Sequence, residues 1–233
     1  MNNNKRKICK RLGQKLFLKG ERCFSPKCPM AVQAHTVRKR GGRRRKMASE
    51  YGKELKEKQK LRNWYNLREN QFKKYVKEVL AKQKKPSVKV PLKTKTKDSD
   101  LIPLENKIVK EDTSQLLLKK LESRLDNVVF RMGFSSSRRQ ARQIVNHKHF
   151  LVNGKAVNIP FFEVKIGDKI SLKLRSKKKP IFENTPLALE KYKPPSWIRI
   201  DIKKMEGEII KDPSFEEATP PAEISAIFEF YSR

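Results

Sequence analysis

Apolar positions recur with helical spacing in the first part of the chain and with strand-like alternation further on. Residues 70–82 place Phe72, Tyr75, Val76, Val79 and Leu80 at i, i+3, i+4, i+7 and i+8, which predicts an amphipathic helix. Residues 50–65 predict another, with Tyr51, Leu55, Leu61, Trp64 and Tyr65 as its apolar set. At that spacing the aromatic rings read as core rather than as base-stacking platforms. Further on, Leu117, Leu118, Leu121, Leu125, Val128, Val129 and Met132 keep a helical period, and Gly133 stands where a C-terminal cap belongs. Ser137 and Gln140 then have the spacing of a capping box. They open a second helix over about 138–146 that turns Ala141, Ile144 and Val145 inward.

Beyond that helix the period shortens. Asn153-Gly154 between two apolar stretches predicts a hairpin. Val164, Ile166, Ile170, Leu172 and Leu174, around a Gly167-Asp168 turn, predict further strands. Ile198, Ile200 and Ile202 alternate with Arg199 and Asp201, as in a half-buried strand. Ile227, Phe228, Phe230 and Tyr231 fit either a strand or a short helix. Residues 86–112 show no sustained period, hold three prolines and lack aromatic residues, so they read as a linker or insertion.

The fold class is therefore α+β: a mainly helical N-terminal domain with an extended basic arm, then a small domain of two helices packed on a twisted sheet. The divisions fall at 1–48 (Cys-containing extension and arm), 49–85 (helical), 86–113 (linker), 114–183 (the helix-helix-sheet domain) and 184–233. The last segment is expected to pack back on the N-terminal domain.

Charge narrows the function. Over 233 residues, 57 Lys and Arg stand against 25 Asp and Glu, a formal net charge of +32. Such a chain repels itself unless a polyanion neutralises it, and nucleic acid is the leading partner ahead of an anionic membrane surface. No apolar run is long enough to span a membrane, and the basic N-terminus lacks the apolar stretch of a signal peptide. The charge is uneven: residues 1–85 carry net +22, residues 86–116 net +1, residues 117–204 net +14, and residues 205–233 net −5. An acidic stretch is pushed away from phosphate, so Glu206, Glu208, Asp212, Glu216 and Glu217 are candidates for a protein contact.

Residues 38–46 hold Arg38, Lys39, Arg40, Arg43, Arg44, Arg45 and Lys46 around a glycine pair. The segment has nothing to bury, and its guanidiniums suit phosphate, so it reads as an RNA-threading arm. Lys58, Lys60 and Arg62 extend the candidate contacts onto the first helix. In the second domain Arg138, Arg139 and Arg142 gather at a helix start whose free N–H groups already attract anions. Lys148, Asn153 and Lys155 flank the hairpin. Together they make a basic surface suited to folded RNA.

Cys9, Cys23 and Cys28 lie within twenty residues. They read either as three of the four donors zinc wants, with His35 the nearest fourth, or as thiols in a reducing compartment. Zinc is thus the single cofactor under consideration, and its donor set is incomplete. An RNA-modifying enzyme is the alternative function. It needs a separate catalytic domain, yet the residues before the linker hold no Gly-rich phosphate loop and no acid/base pair. A nonspecific basic chaperone is at odds with the ordered helices and the hairpin.

The runs LESRLDNVVFRMGF, SSSRRQARQIVNHKHFLVNGKAV and VKIGDKI resemble the αL RNA-binding module named after small-subunit ribosomal protein four, a module shared with pseudouridine synthases and tyrosyl-tRNA synthetases. LKGERCFSPKC, SEYGKELKEKQKLRNWYNLRENQFKKY and the terminal EFYSR resemble the bacterial and organellar family of that ribosomal protein. The resemblance spans about residues 9–85 and 114–233. It implies a non-enzymatic primary assembly protein that binds the 5′ domain of small-subunit rRNA. It also implies ribosomal proteins three and five as neighbours, mRNA nearby, an influence on translational accuracy, and a bacterial cytoplasmic or organellar ribosome. No membrane partner and no homo-oligomer are expected. Zinc-bearing members of the family have four cysteines beginning with a C-x-x-C pair; here Arg6 stands where the first would be, and other members have none.

Overall fold

The computed structural model describes residues 5–28, 30, 49–84 and 112–232. Two short helices, α1 (Lys5–Leu12) and α2 (Glu21–Phe24), precede the two long ones, α3 (Glu50–Trp64) and α4 (Glu69–Lys84). Ser49 caps α3, its hydroxyl accepting from the Gly52 N–H at 3.2 Å. Leu61, Tyr65, Phe72, Val76 and Val79 of this pair form one core with Leu117 and Leu121 of α5 (Thr113–Glu122). The residues of the expected linker, 86–111, lie outside the described ones, and Asp112 stands at the N-cap of α5.

The apolar stripe from Leu117 to Met132 belongs to two helices rather than one. α6 (Leu125–Arg131) is separated from α5 by Ser123 and an extended Arg124 (φ −68°, ψ 134°). There the backbone leaves the helix to pair with residues 162–164: the Leu125 N–H donates to Phe162 O at 2.9 Å and the Val164 N–H to Ser123 O at 2.8 Å. The period survives the break because both helices bury their apolar positions, Leu117 and Leu121 in the N-terminal core and Leu125, Val128, Val129 and Met132 in the core of the module, so the pattern alone does not reveal it.

α6 ends as its sequence predicts. Gly133 takes φ +80°, its N–H bonds Phe130 O and the Phe134 N–H bonds Val129 O, which is a Schellman cap. A Cβ at Gly133 would also meet the Tyr192 ring at 2.9 Å. Gly133→Ala is expected to destabilise the chain by about 1–2 kcal/mol, the cost of a left-handed non-glycine residue, read as a lowered urea midpoint.

After α7 (Arg138–Asn146) the chain enters β1 (Phe150–Val152), turns at Asn153 (φ 49°) and Gly154 (φ 79°), and returns as β2 (Lys155–Ala156). Two successive positive φ values are the mark of the predicted hairpin turn. β3 (Lys169–Leu172) pairs with β1; three short helices follow, α8 (Leu174–Lys177), α9 (Pro180–Glu183) and α10 (Thr185–Lys191). Of the residues expected in strands here, Ile166 and Leu174 are instead exposed, one before the Gly167 turn and one opening α8.

The last segment divides its packing, which corrects the expected boundary at residue 184. β4 (Ile198–Asp201) and β5 (Glu206–Ile209) complete the module's own sheet, antiparallel throughout in the order β2-β1-β3-β5-β4. Trp197, Ile198 and Ile209 lie in the core of α6 and α7. After α11 (Phe215–Ala218), only α12 (Ile224–Ser232) returns to the N-terminal helices, burying Ile224 and Ile227 there. The apolar run ending at Tyr231 is thus a helix. Among the described residues no helix is long and apolar enough to cross a membrane.

Candidate nucleic-acid interface

The start of α7 shows how far the predicted phosphate cradle holds. Ser137 caps it, its hydroxyl accepting from the Gln140 N–H at 3.4 Å. The Gln140 side chain reaches back one residue further than a standard box, accepting from the Ser136 N–H at 3.0 Å. Arg139 is exposed here, while Arg142 is half-buried, 4.0 Å from Asp126.

Arg138 does not belong to the exposed cations. It is 8% exposed, its Nε donates to Asn127 Oδ1 at 2.7 Å, and its guanidinium lies 4.5 Å from the ring centres of Trp64 and Phe130. It therefore bolts the module to the N-terminal helices. Burial pulls its pKa down to about 10, against the upward pull of Glu122.

Beside it lies a polar hub that the sequence did not announce. Glu122 is fully buried and accepts from Arg131 Nε and Nη2 at 3.0 and 2.9 Å, the Tyr65 hydroxyl at 2.6 Å and Asn127 Nδ2 at 2.5 Å. Arg124 forms a two-pronged pair with Asp126 and also donates to the Tyr75 hydroxyl at 2.9 Å. These side chains join α3 and α4 to α5, α6 and α7, so buried contacts tie together the described parts of the two basic regions.

The remaining cations sort by exposure. Lys148 and Lys155 are exposed beside the hairpin. Asn153 shapes the turn rather than facing a ligand: its Nδ2 donates to Asp168 at 2.8 Å, and its Oδ1 accepts from the Lys169 N–H at 2.9 Å. Lys58, Lys60 and Arg62 each hold an ion pair within the protein, and Arg62 keeps its Nε without an acceptor. Lys58 is 5% exposed, pairs with Glu69 at 2.7 Å and lies over the Phe230 ring at 4.3 Å; Lys60 pairs with Glu57 and Arg62 with Glu69. The partners of Lys58 and Arg62 come from across the α3–α4 turn, which the local pattern does not show. Arg38, Lys39, Arg40, Arg43, Arg44, Arg45 and Lys46 lie outside the described residues.

Sequence reasoning missed one cluster. Lys173, Arg175, Lys177, Lys178 and Lys179 surround α8, and their density in KLRSKKK was the available signal. His149, buried with Nδ1 2.8 Å from Ser176 Oγ, registers their field. Burial first, then Lys179, His147 and Lys173, push its pKa down, so it stays neutral. Arg139, Lys148, Lys155 and this cluster give the module several exposed cations on rigid elements, able to meet phosphates without a pocket.

Comparison with known proteins agrees with this arrangement. Residues 123–170 match the family described as "S4 domain", and residues 1–94 match "Ribosomal protein S4/S9 N-terminal domain". The chain is 40% identical over 227 residues to "Small ribosomal subunit protein uS4" of Natranaerobius thermophilus, and 38% identical over 227 residues to that of Heliobacterium modesticaldum. The protein of the same name from Thermotoga petrophila is 37% identical over 228 residues. Each alignment covers 97% of this chain and 96% of the relative. The chain belongs to the uS4 family.

Membership in uS4, a family of structural ribosomal proteins, sets aside the RNA-modifying enzyme. It also frames the cysteines and acids of this member. Cys9, Cys23 and Cys28 are buried free thiols. Burial pushes the Cys9 thiol up, with Cys23 and Cys28 adding to it against a backbone hydrogen bond at Leu16. Among the described residues no group of three His, Cys, Asp or Glu side chains is placed to hold a metal ion, and His35 lies outside them. The described residues of this uS4 chain thus do not assemble a four-donor set.

The expected acidic contact is partly consumed within the protein. Asp212 pairs with Lys119 at 2.6 Å, and Glu217 accepts from the Ser196 N–H at 3.0 Å and the Ser196 hydroxyl at 2.5 Å. Glu206 and Glu208 sit half-buried in β5, Glu208 paired in register with Lys169 on β3 and Arg199 on β4. Glu216 is fully available at the surface.

Proposed function

We propose that the chain is a structural component of the small ribosomal subunit that binds the 5′ domain of its rRNA as a primary assembly protein. The observation that carries this reading is the set of exposed cations Arg139, Lys148, Lys155, Arg175, Lys178 and Lys179, carried on and beside the helices and sheet of the module. Cations on a preorganised surface select a folded backbone by shape, whereas a mobile basic tail selects only by charge. The relatives' name supports the same reading.

In the finer form of this proposal, ribosomal proteins three and five are neighbours, the chain borders the channel by which mRNA enters, and its protein contacts influence decoding accuracy. Glu216 is the acid best placed for such a contact. The arm at residues 38–46 adds phosphate contacts to the same RNA.

A salt-titrated binding curve tests the core of the proposal. The full chain is expected to prefer the folded 5′ domain over a scrambled RNA of equal length, and to keep that preference at high salt. Equal and steeply salt-sensitive binding to both RNAs would reduce the interaction to counterion release and defeat the proposal.

A further inference from the structure

Between the N-terminal helices and the module lies a cleft of about 490 Å³, lined by Phe17, Arg62, Trp64, Arg68, Arg138 and Arg139 among others. Three of its side chains carry a buried donor with no acceptor: Arg62 Nε, Trp64 Nε1 and Arg138 Nη2. Buried polar atoms are nearly always paired, so three orphans in one cleft mark a missing partner. All three are donors, which makes that partner an acceptor. The lining holds four arginines against Glu69, whose carboxylate already serves Lys58, Arg62 and the Tyr231 hydroxyl. An excess of cations with unmet N–H groups calls for an anion bearing several oxygens.

The cleft also has flat apolar walls. The Phe17 ring stands edge-on to Trp64, with centroids 6.3 Å apart. A bare phosphate would leave this part of the volume unfilled, while a nucleotide supplies a ring for it. Arg139 both lines this cleft and is exposed, so an RNA strand held at Arg139 lies at the edge of the cleft.

We propose that the cleft seats one nucleotide of the bound RNA, its phosphate oxygens accepting from Arg62 and Arg138 and its base lying against Phe17 with an edge at Trp64 Nε1. This rests on the rRNA-binding reading above and adds to it a single-nucleotide recognition site at the junction of the two domains. Burial pulls the Arg138 guanidinium down to a pKa of about 10 against the upward pull of Glu122, and an arriving phosphate would add to that pull.

The two tryptophans permit a direct test on the full chain. 5-Fluorotryptophan labelling gives one fluorine resonance for Trp64 and one for Trp197, assigned with Trp64→Phe. Trp197 is 1% exposed in the module core and serves as the internal reference. On adding the 5′-domain RNA, the Trp64 resonance is expected to shift and saturate at one equivalent while Trp197 stays in place. Arg62→Gln, at a partly exposed position, is expected to abolish the shift and weaken binding roughly five- to tenfold, as loss of one charged contact does. Arg138→Lys serves as a second variant, with the Trp197 resonance reporting that each is folded.

Tight RNA binding with Trp64 unmoved would overturn the cleft and leave the rRNA-binding reading intact. A response of Trp64 to inorganic phosphate but not to RNA would make this a small-anion site and overturn the nucleotide. Absence of RNA binding in a mobility-shift assay would sink the reading on which the inference depends.

Discussion

Glu122→Gln is expected to destabilise the protein by about 3–5 kcal/mol, the scale of removing one partner from a buried ion pair. The carboxylate is fully buried, and four hydrogen bonds from Arg131, Tyr65 and Asn127 depend on its two oxygens. Glutamine keeps the shape but takes the counter-charge from Arg131, whose side chain is 15% exposed. It also places an N–H₂ where an acceptor was required. The urea midpoint should fall steeply, and Glu122→Gln with Arg131→Met should recover part of the loss, because the stranded charge is then gone.

A pH titration of stability checks the same residue. Burial raises the carboxyl's pKa, but Arg131 first, then Arg138 and the Tyr65 hydroxyl, outweigh it, so the folded value lies below the usual carboxylate range. The contribution of Glu122 is therefore complete above the ordinary carboxylate pKa and fades as pH falls through the depressed one. The Gln variant should lack this part of the acid dependence. An unchanged acid limb and an unchanged midpoint would show that the hub does not join the two domains.

The second large effect lies in binding rather than folding. Arg139→Ala, Lys148→Ala and Lys155→Ala together are expected to reduce the log–log salt slope for 5′-domain RNA by roughly two to three. Affinity should fall by about two orders of magnitude near 0.1 M salt. All three residues are exposed, so the unfolding midpoint should barely move. Arg138→Ala separates the roles of neighbouring arginines: its first effect is lost stability, since it strips the Asn127 contact and three aromatic rings of their shared cation. If the triple variant keeps the wild-type slope, the RNA contacts lie elsewhere on the molecule.

These contrasts mark what could be read from the residues and what could not. Interactions within a few residues were legible: the caps at Gly133 and Ser137, the Asn153-Gly154 turn and the stripe of α4 all depend on local φ and spacing. Contacts that need a distant partner were not. Lys58 reads as a surface cation until Glu69 and Phe230 converge on it. Arg138 reads as part of a helix-start cradle until Trp64 and Asn127 close around it. The break at Arg124 was hidden because the apolar stripe keeps its phase across it. The 173–179 cluster differs from these: its composition was visible, and only its place beside the hairpin needed the fold.

The division of the last segment between two cores bears on how the protein is made. β5 is inserted between β3 and β4, and the N-terminal core buries Ile224 and Ile227 of α12. During synthesis, α3 and α4 therefore leave the ribosome long before the residues that cover their apolar face. Before residue 227 has emerged, α5 supplies Leu117 and Leu121 to that face, and the part that Ile224 and Ile227 cover stays open. A prematurely released product lacks that cover over the N-terminal core, even where the Glu122 hub between the domains has formed. Only a chain translated through α12 closes both cores, so the fold itself discriminates against incomplete copies.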